Sequence, residues 1–206
     1  MTLRVLTAGT GRSGSTWLHN AVVALLMQKH AVYGAWVDRW NDGEAAEADA
    51  LVLKVHAPTQ IGAFQPDIIV TCHRDLRDAA LSLRDYQNLN SDAEILGAVA
   101  WARSSHDHFN AVADLDVAYE DMVTDPTGVL AGLARVLGVA DPDLDYARLA
   151  VESWEPLSGD AKHRFDGRPG RWREQMTPGL LNAIEAKHGD WLTRFGYPSS
   201  GCNQEP

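Results

Sequence analysis

The chain has 206 residues, enough for one domain with a substantial core, and its 45% hydrophobic and 22% charged residues are an ordinary balance for a globular protein. A net charge of −10 argues against a general nucleic-acid binder, which needs a basic face. No apolar run reaches the roughly 20 residues that span a bilayer.

Leu3–Ala8 reads as a buried strand, followed by the glycine-rich loop Gly9–Gly14. From Ser15 the apolar residues Trp17, Leu18, Ala21, Val22, Leu25 and Leu26 recur at helical spacing. Residues 33–50 are ambiguous, with the alanine and glutamate run 44–50 expected as helix or loop. Leu51–Val55 and Asp67–Cys72 are two further strands. Amphipathic helices are expected over Leu76–Tyr86 and 93–112, then a strand over Leu115–Tyr119 and a helix from Val129 closed by Gly138. Residues 162–177 read as a basic loop, and Leu180–Phe195 as a last amphipathic helix. The tail from Pro198 to Pro206 is expected to be disordered, which leaves residues 1–197 as a single domain.

This alternation predicts an α/β fold, three layers deep, with a central parallel sheet covered by helices on both faces. Ligands of such sheets bind beyond the carboxyl ends of the strands. The loops at 9–16, 56–60 and 73–75 are therefore expected to meet at one edge. Cys72 and Cys202 form no metal pattern, and the N-terminus lacks the basic leader and long apolar segment of a signal peptide, so a cytoplasmic location is expected. Two local groups of cations stand out against the acidic total. Lys162, Arg164, Arg168, Arg171 and Arg173 form one, and Arg74, Arg77 and Arg84 the other. Such groups suit a small, multiply charged anion, and equally suit solvated surface arginines.

The first loop, "GTGRSGSTW", nearly spells a P-loop. Gly9 and Gly14 have the right separation and Thr16 supplies the hydroxyl, but Ser15 stands where the lysine belongs. Its glycines let backbone N–H groups converge on an anion at a helix start, with Arg12 as a charged fork and Ser13, Ser15 and Thr16 as hydroxyl donors. A second element, His73-Arg74-Asp75, ends a strand, with Ser82 two helical turns beyond Arg74.

Together these segments resemble the sulfotransferases that use 3′-phosphoadenosine 5′-phosphosulfate (PAPS). Arg12-Ser13-Gly14-Ser15-Thr16-Trp17 is similar to that family's Lys-Ser-Gly-Thr-Thr-Trp loop, which holds the 5′-phosphosulfate end. Ile69–Ser82 resembles its 3′-phosphate motif, whose arginine and serine match Arg74 and Ser82. Tyr119-Glu120-Asp121 matches the next strand end, where the tyrosine lies near the nucleotide. "GRPGRWREQMT", residues 167–177, resembles the late Gly-x-x-Gly-Asp-Trp-Lys segment that closes over the cofactor, and "LKVHAP", residues 53–58, the segment with a lysine and a catalytic histidine. The five matches occur in family order. They depart from it where Arg12 replaces the loop lysine, Phe165-Asp166-Gly167 replaces Arg-Lys-Gly, and Arg171 precedes Trp172 in place of aspartate.

The resemblance implies the P-loop-like sulfotransferase fold, with PAPS as donor and adenosine 3′,5′-bisphosphate (PAP) as product. It implies PAPS contacts from Gly11, Arg12, Ser13, Gly14, Ser15, Thr16, Trp17, Arg74, Ser82, Tyr119 and Gly167, with Arg164 or Arg168 at the 3′-phosphate. His56 is the candidate base for the acceptor proton, and Lys54, two residues before it on a strand, faces the same side. Arg12 stands at the leaving phosphate. The donated group is already activated, so no metal is expected. The nearest candidate pair, His106 and His108, points apart on a helix. The expected partner is a small-molecule acceptor, with Trp36, Trp40, Trp101, Trp154 and Phe109 as candidate walls or core residues. Trp17 is expected to pack beneath the loop. A small-molecule kinase and a non-catalytic nucleotide-binding relative are the competing readings, and oligomeric state is not readable.

Overall fold

The computed structural model describes residues 2–153 and 167–201. Five parallel strands, β1 (Leu3–Gly9), β2 (Val32–Trp36), β3 (Ala50–Val55), β4 (Ile68–His73) and β5 (Leu115–Ala118), form one sheet in the order β2-β3-β1-β4-β5. The expected α/β architecture is the one found. β1 is central because its residues Val5, Leu6 and Ala8 are apolar and fully buried, so both faces need cover.

Alternate strand residues supply the two faces. Val5, Val52, Val70, Cys72 and Val117 pack with α1 (Ser15–Leu26), α6 (Pro126–Val136) and α7 (Leu144–Ser153). Leu6, Leu51, Leu53 and Val55 face the other way, with Phe64 and with Phe109 of α4 (Asp92–Asn110). Beside them, α3 (Leu76–Gln87), α4 and α9 (Pro178–Arg194) share a cluster that includes Leu76, Ile95, Ile184 and Trp191. Short helices α2 (Asp42–Ala45), α5 (Tyr119–Thr124) and α8 (Trp172–Gln175) occupy connections.

Local chemistry sets the helix starts. Asp75 accepts from the Arg77 N–H at the head of α3, and Ser91 and Glu94 form a capping box on α4. Asp125 and Thr177 cap α6 and α9, each followed by a proline. Four elements differ from the sequence expectation, one of them α8, which lies in the stretch read as a loop. The ambiguous stretch contains the edge strand β2. Tyr119 opens α5 instead of closing β5, and Leu144–Ser153 is helical. At the chain's end, the Pro198 carbonyl accepts from Arg77 and the Ser200 backbone N–H donates to Glu185, so these two positions of the expected tail are hydrogen bonded to the body.

Candidate active site

The carboxyl ends of the strands converge as expected on a cavity of about 740 Å³, large enough for a nucleotide and a small second reactant. Of the residues expected at a donor site, Gly11, Arg12, Gly14, Ser15, Thr16, Trp17, Lys54, His56, Arg74, Ser82, Tyr119 and Gly167 all line it.

The loop at the end of β1 depends on its glycines. A Cβ at Gly9 would stand 2.5 Å from that of Ser15 and 2.6 Å from Cys72 Sγ. Gly14 has φ 85°, and a Cβ there would meet Met122 Sδ at 2.7 Å. Gly14 also caps α1 without a side-chain acceptor, so the first N–H groups of that helix keep their donor capacity at the cavity wall. Arg12 adopts φ 70°, a left-handed conformation uncommon outside glycine. Its Nε donates to Ser82 Oγ at 2.9 Å, and its guanidinium lies 5.0 Å from the Tyr86 ring centroid. Burial and the neighbouring Arg74 both push the Arg12 pKa down.

Lys54 is only 4% exposed. Its Nζ donates to Thr16 Oγ1 at 2.8 Å and lies 4.5 Å from the Trp36 ring centroid. Burial pushes its pKa down to about 8, so it is charged at pH 7, and among the described residues no carboxylate pairs with it. His56, just past the end of β3, hydrogen bonds through Nδ1 to the Gly9 carbonyl. A carbonyl can only accept, so Nδ1 carries the proton and Nε2 keeps its lone pair. Burial and then Lys54 push His56 down to about 4, leaving it neutral at pH 7. The Trp36 ring stands edge-on to it, 4.8 Å between centroids.

On the far side of β1, Arg74 lies over the Tyr119 ring, 4.1 Å from its centroid. Arg74 Nη2 and the Tyr119 hydroxyl both donate to the Gly167 carbonyl, at 3.3 and 2.7 Å. Arg74 Nε is buried with no hydrogen-bond partner among the described residues. Arg74 and Ser82 thus reach one cavity from a strand end and a helix two turns on, as their spacing predicted.

Other expectations are corrected. The Ser13 hydroxyl is turned inward, donating to the Thr10 carbonyl at 2.7 Å and standing 3.3 Å from Cys72 Sγ, so it is not offered to the cavity. Arg168 is exposed and pairs with Glu174 at 3.0 Å, outside the cavity lining. Arg77 is fully buried against Asp75 and Glu185, and Arg84 and Arg171 both pair with Asp85. Three members of the two groups, Arg77, Arg84 and Arg171, are thus internal wiring, and among the described members Arg74 is the one that lines the cavity. Trp36 and Trp101 line it, Trp17 lines it and also packs on the core, Trp40 packs edge-on to Phe64, and Phe109 is a core residue. Trp154, Lys162 and Arg164 lie outside the described residues.

His106 and His108 do diverge, one buried and one exposed. His106 instead joins His73 and Asp116, whose ligand-capable atoms lie within 4.8 Å of one another. Sequence spacing hides this trio because β4, α4 and β5 each contribute one member. Against the opposing effect of burial, hydrogen bonds from His106 and His73 hold the Asp116 carboxyl well below the usual range.

Two acidic residues that the sequence did not single out hold the late segment. Asp78 accepts from the Gly170 and Trp172 N–H groups at 2.5 and 2.9 Å, and Asp85 takes Arg171 at 2.9 Å. Both lie on α3, seven residues apart and on one face. The arginine before Trp172, where the family pattern has aspartate, therefore has its own partner. Arg39, which follows β2 in a single 3₁₀ turn (Val37–Arg39), is a further cavity residue with no motif to announce it.

No protein-family profile and no curated protein matches this sequence. Solved structures do. Mouse sulfotransferase SULT7A1 complexed with PAP superposes with a TM-score of 0.69 at 13% identity, over 92% of this chain and 84% of that one. Retinol dehydratase in complex with androsterone and the inactive cofactor PAP gives 0.62 at 16% identity, over 92% and 80%. A sulfotransferase from Alicyclobacillus acidocaldarius gives 0.53 at 15% identity, over 94% of both chains. No helix among the described residues is long and apolar enough to cross a membrane. With its glycine loop, its five-stranded parallel sheet and these superpositions, the chain has the sulfotransferase fold.

Proposed function

We propose that the chain, taken as one domain over residues 1–197, is a PAPS-dependent sulfotransferase acting on a hydroxyl or amine of a small-molecule acceptor. The observation that carries the reading is Lys54. A buried ammonium without a carboxylate is costly in the free protein, and such charges persist where an anion completes them. It sits between the glycine loop and a neutral imidazole, which is where sulfuryl transfer needs a cation.

The residues fit a nucleotide with phosphates at both ends. Loop N–H groups, Arg12 and Thr16 suit the 5′ end, and Arg74, with its unpartnered Nε, suits the 3′-phosphate beside Ser82. Tyr119 and Gly167 wall that side. Bound PAPS supplies an already activated sulfuryl group. His56 Nε2 takes the acceptor proton as the acceptor's oxygen or nitrogen bonds to sulfur and the sulfur–oxygen bond to the 5′-phosphate breaks. The electron pair leaves on that phosphate, next to Arg12 and Lys54, whose charges are fixed before the reaction begins.

Thermal unfolding with PAP, and separately with ATP and magnesium, tests the assignment against a kinase, and turnover with labelled donor tests it against a non-catalytic nucleotide-binding relative. Selective stabilisation by PAP is expected, and ATP preference or no response to either overturns the proposal.

A further inference from the structure

Resting on the sulfotransferase reading, we infer that the acceptor is a flat aromatic compound bearing a carboxylate or similar acid group, and that Arg39 is the residue that reads the acid. The sheet order locates Arg39. It follows the edge strand β2; next come β3 with Lys54 and, just past its end, His56, then the loop after β1, then β4 with Arg74 just past its end. The strands that lead into Arg39 and Arg74 are three spacings apart at roughly 4.8 Å each, with β3, which leads into His56, between them.

The neighbourhood of Arg39 is aromatic. Trp36 stands against His56 and shares the cavity wall with Trp101 of α4, which remains 45% exposed although it is large and apolar. Exposed indole surface on a cavity wall favours an aromatic guest. The charge is one-sided: Arg12, Arg39, Lys54 and Arg74 line the cavity and, among the described residues, no carboxylate does, in a chain whose formal charge is −10. Three of these cations fall on the donor half, and Arg39 is the fourth. It is exposed, and among the described residues it makes no hydrogen bond or ion pair. A guanidinium on the wall of a cavity that two indoles also line suits a planar acid group at one end of an aromatic acceptor, with the nucleophilic hydroxyl at the other end toward His56 Nε2. A neutral acceptor leaves that guanidinium unused.

The test uses the full chain loaded with PAP and calorimetric titration with para-hydroxyphenylacetate and with its neutral amide. The acid is expected to bind about fivefold more tightly than the amide. In Arg39→Gln the preference should vanish while PAP affinity stays unchanged. Equal affinity for acid and amide, binding of neither, or a preference that survives Arg39→Gln overturns the inference. So does a loss of PAP affinity in that variant, which places Arg39 in the nucleotide grip. Failure of PAP itself to bind, seen before any acceptor is added, marks the failure of the underlying sulfotransferase reading.

Discussion

His56 donates through Nδ1 to the carbonyl of Gly9, so the residue that ends β1 fixes the tautomer of the residue that follows β3. The imidazole is thereby oriented with Nε2 as its only acceptor, and burial keeps it neutral. His56→Ala should retain PAP affinity within about twofold and lose at least about a hundredfold in kcat, the usual scale of a general base. The check is a pair of measurements, PAP titration and turnover with labelled donor. Unchanged turnover removes His56 as the base.

Lys54 sets up a trade of stability for binding. Its charge is disfavoured by burial in the free protein and becomes useful when an anion arrives. Lys54→Met should therefore raise the Tm of the free protein by about 2–4 °C while lowering PAP affinity at least about tenfold. With its pKa near 8, kcat/KM of the natural protein should fall on the alkaline side as the ammonium is lost. A thermal melt with and without PAP separates the two effects. A variant that is less stable and binds PAP as before contradicts the argument.

Arg74 should behave differently from His56. Its contacts are with Tyr119 and Gly167, on the side of the cavity proposed for the nucleotide. Arg74→Ala should weaken PAP binding at least about tenfold, since one charged hydrogen-bond donor set is lost, and affect kcat at saturation far less. Equal PAP affinity in variant and natural protein would place the 3′-phosphate elsewhere.

What the sequence made legible follows a physical pattern. The loop at 9–17 was readable because backbone geometry restricts its glycines, and Gly9 and Gly14 have no room for a Cβ. Arg74, Ser82 and Tyr119 were readable because strand ends and helical turns have fixed spacing. β2 was not, because its residues are only partly buried at a sheet edge and alternate weakly. Ser13 and Arg168 fall outside the cavity lining, because a motif position does not say which way a side chain turns. The pairing of Asp78 with Gly170 and Trp172, and the trio of His73, His106 and Asp116, are long-range and leave no local period.

Asp78 should be a stability residue with a functional consequence. It is completely buried, and its carboxylate oxygens are the acceptors for two backbone N–H groups of the segment that carries Gly167. Asp78→Asn places an amide donor against an N–H donor, so about 1–3 kcal/mol of stability should be lost. Urea denaturation measures that loss, and hydrogen exchange should quicken across residues 167–176. PAP affinity should fall several-fold because the Gly167 carbonyl fixes both Arg74 and Tyr119. Unaltered exchange in that segment would show that α3 does not hold it.

Acid should destabilise the protein earlier than its carboxylates alone require. Burial pushes His19 down to about 3, and His56 and His188 to about 4, each assisted by a neighbouring cation. In the unfolded chain these histidines titrate near 6.5. Above that pH both states are neutral and the full stability is present. As pH falls from about 6.5 toward 4, the unfolded chain gains three protons that the folded protein does not, so stability declines by up to about 1.4 kcal/mol per pH unit for each histidine. Denaturation curves at pH 7.5, 6.5, 5.5 and 4.5 should show this slope beginning well above the carboxylate range. His19 is hydrogen bonded to Thr7 of β1 and does not line the cavity, so His19→Gln should remove about a third of the slope due to these three. A flat profile down to pH 5 would mean that the three imidazoles are as easily protonated folded as unfolded.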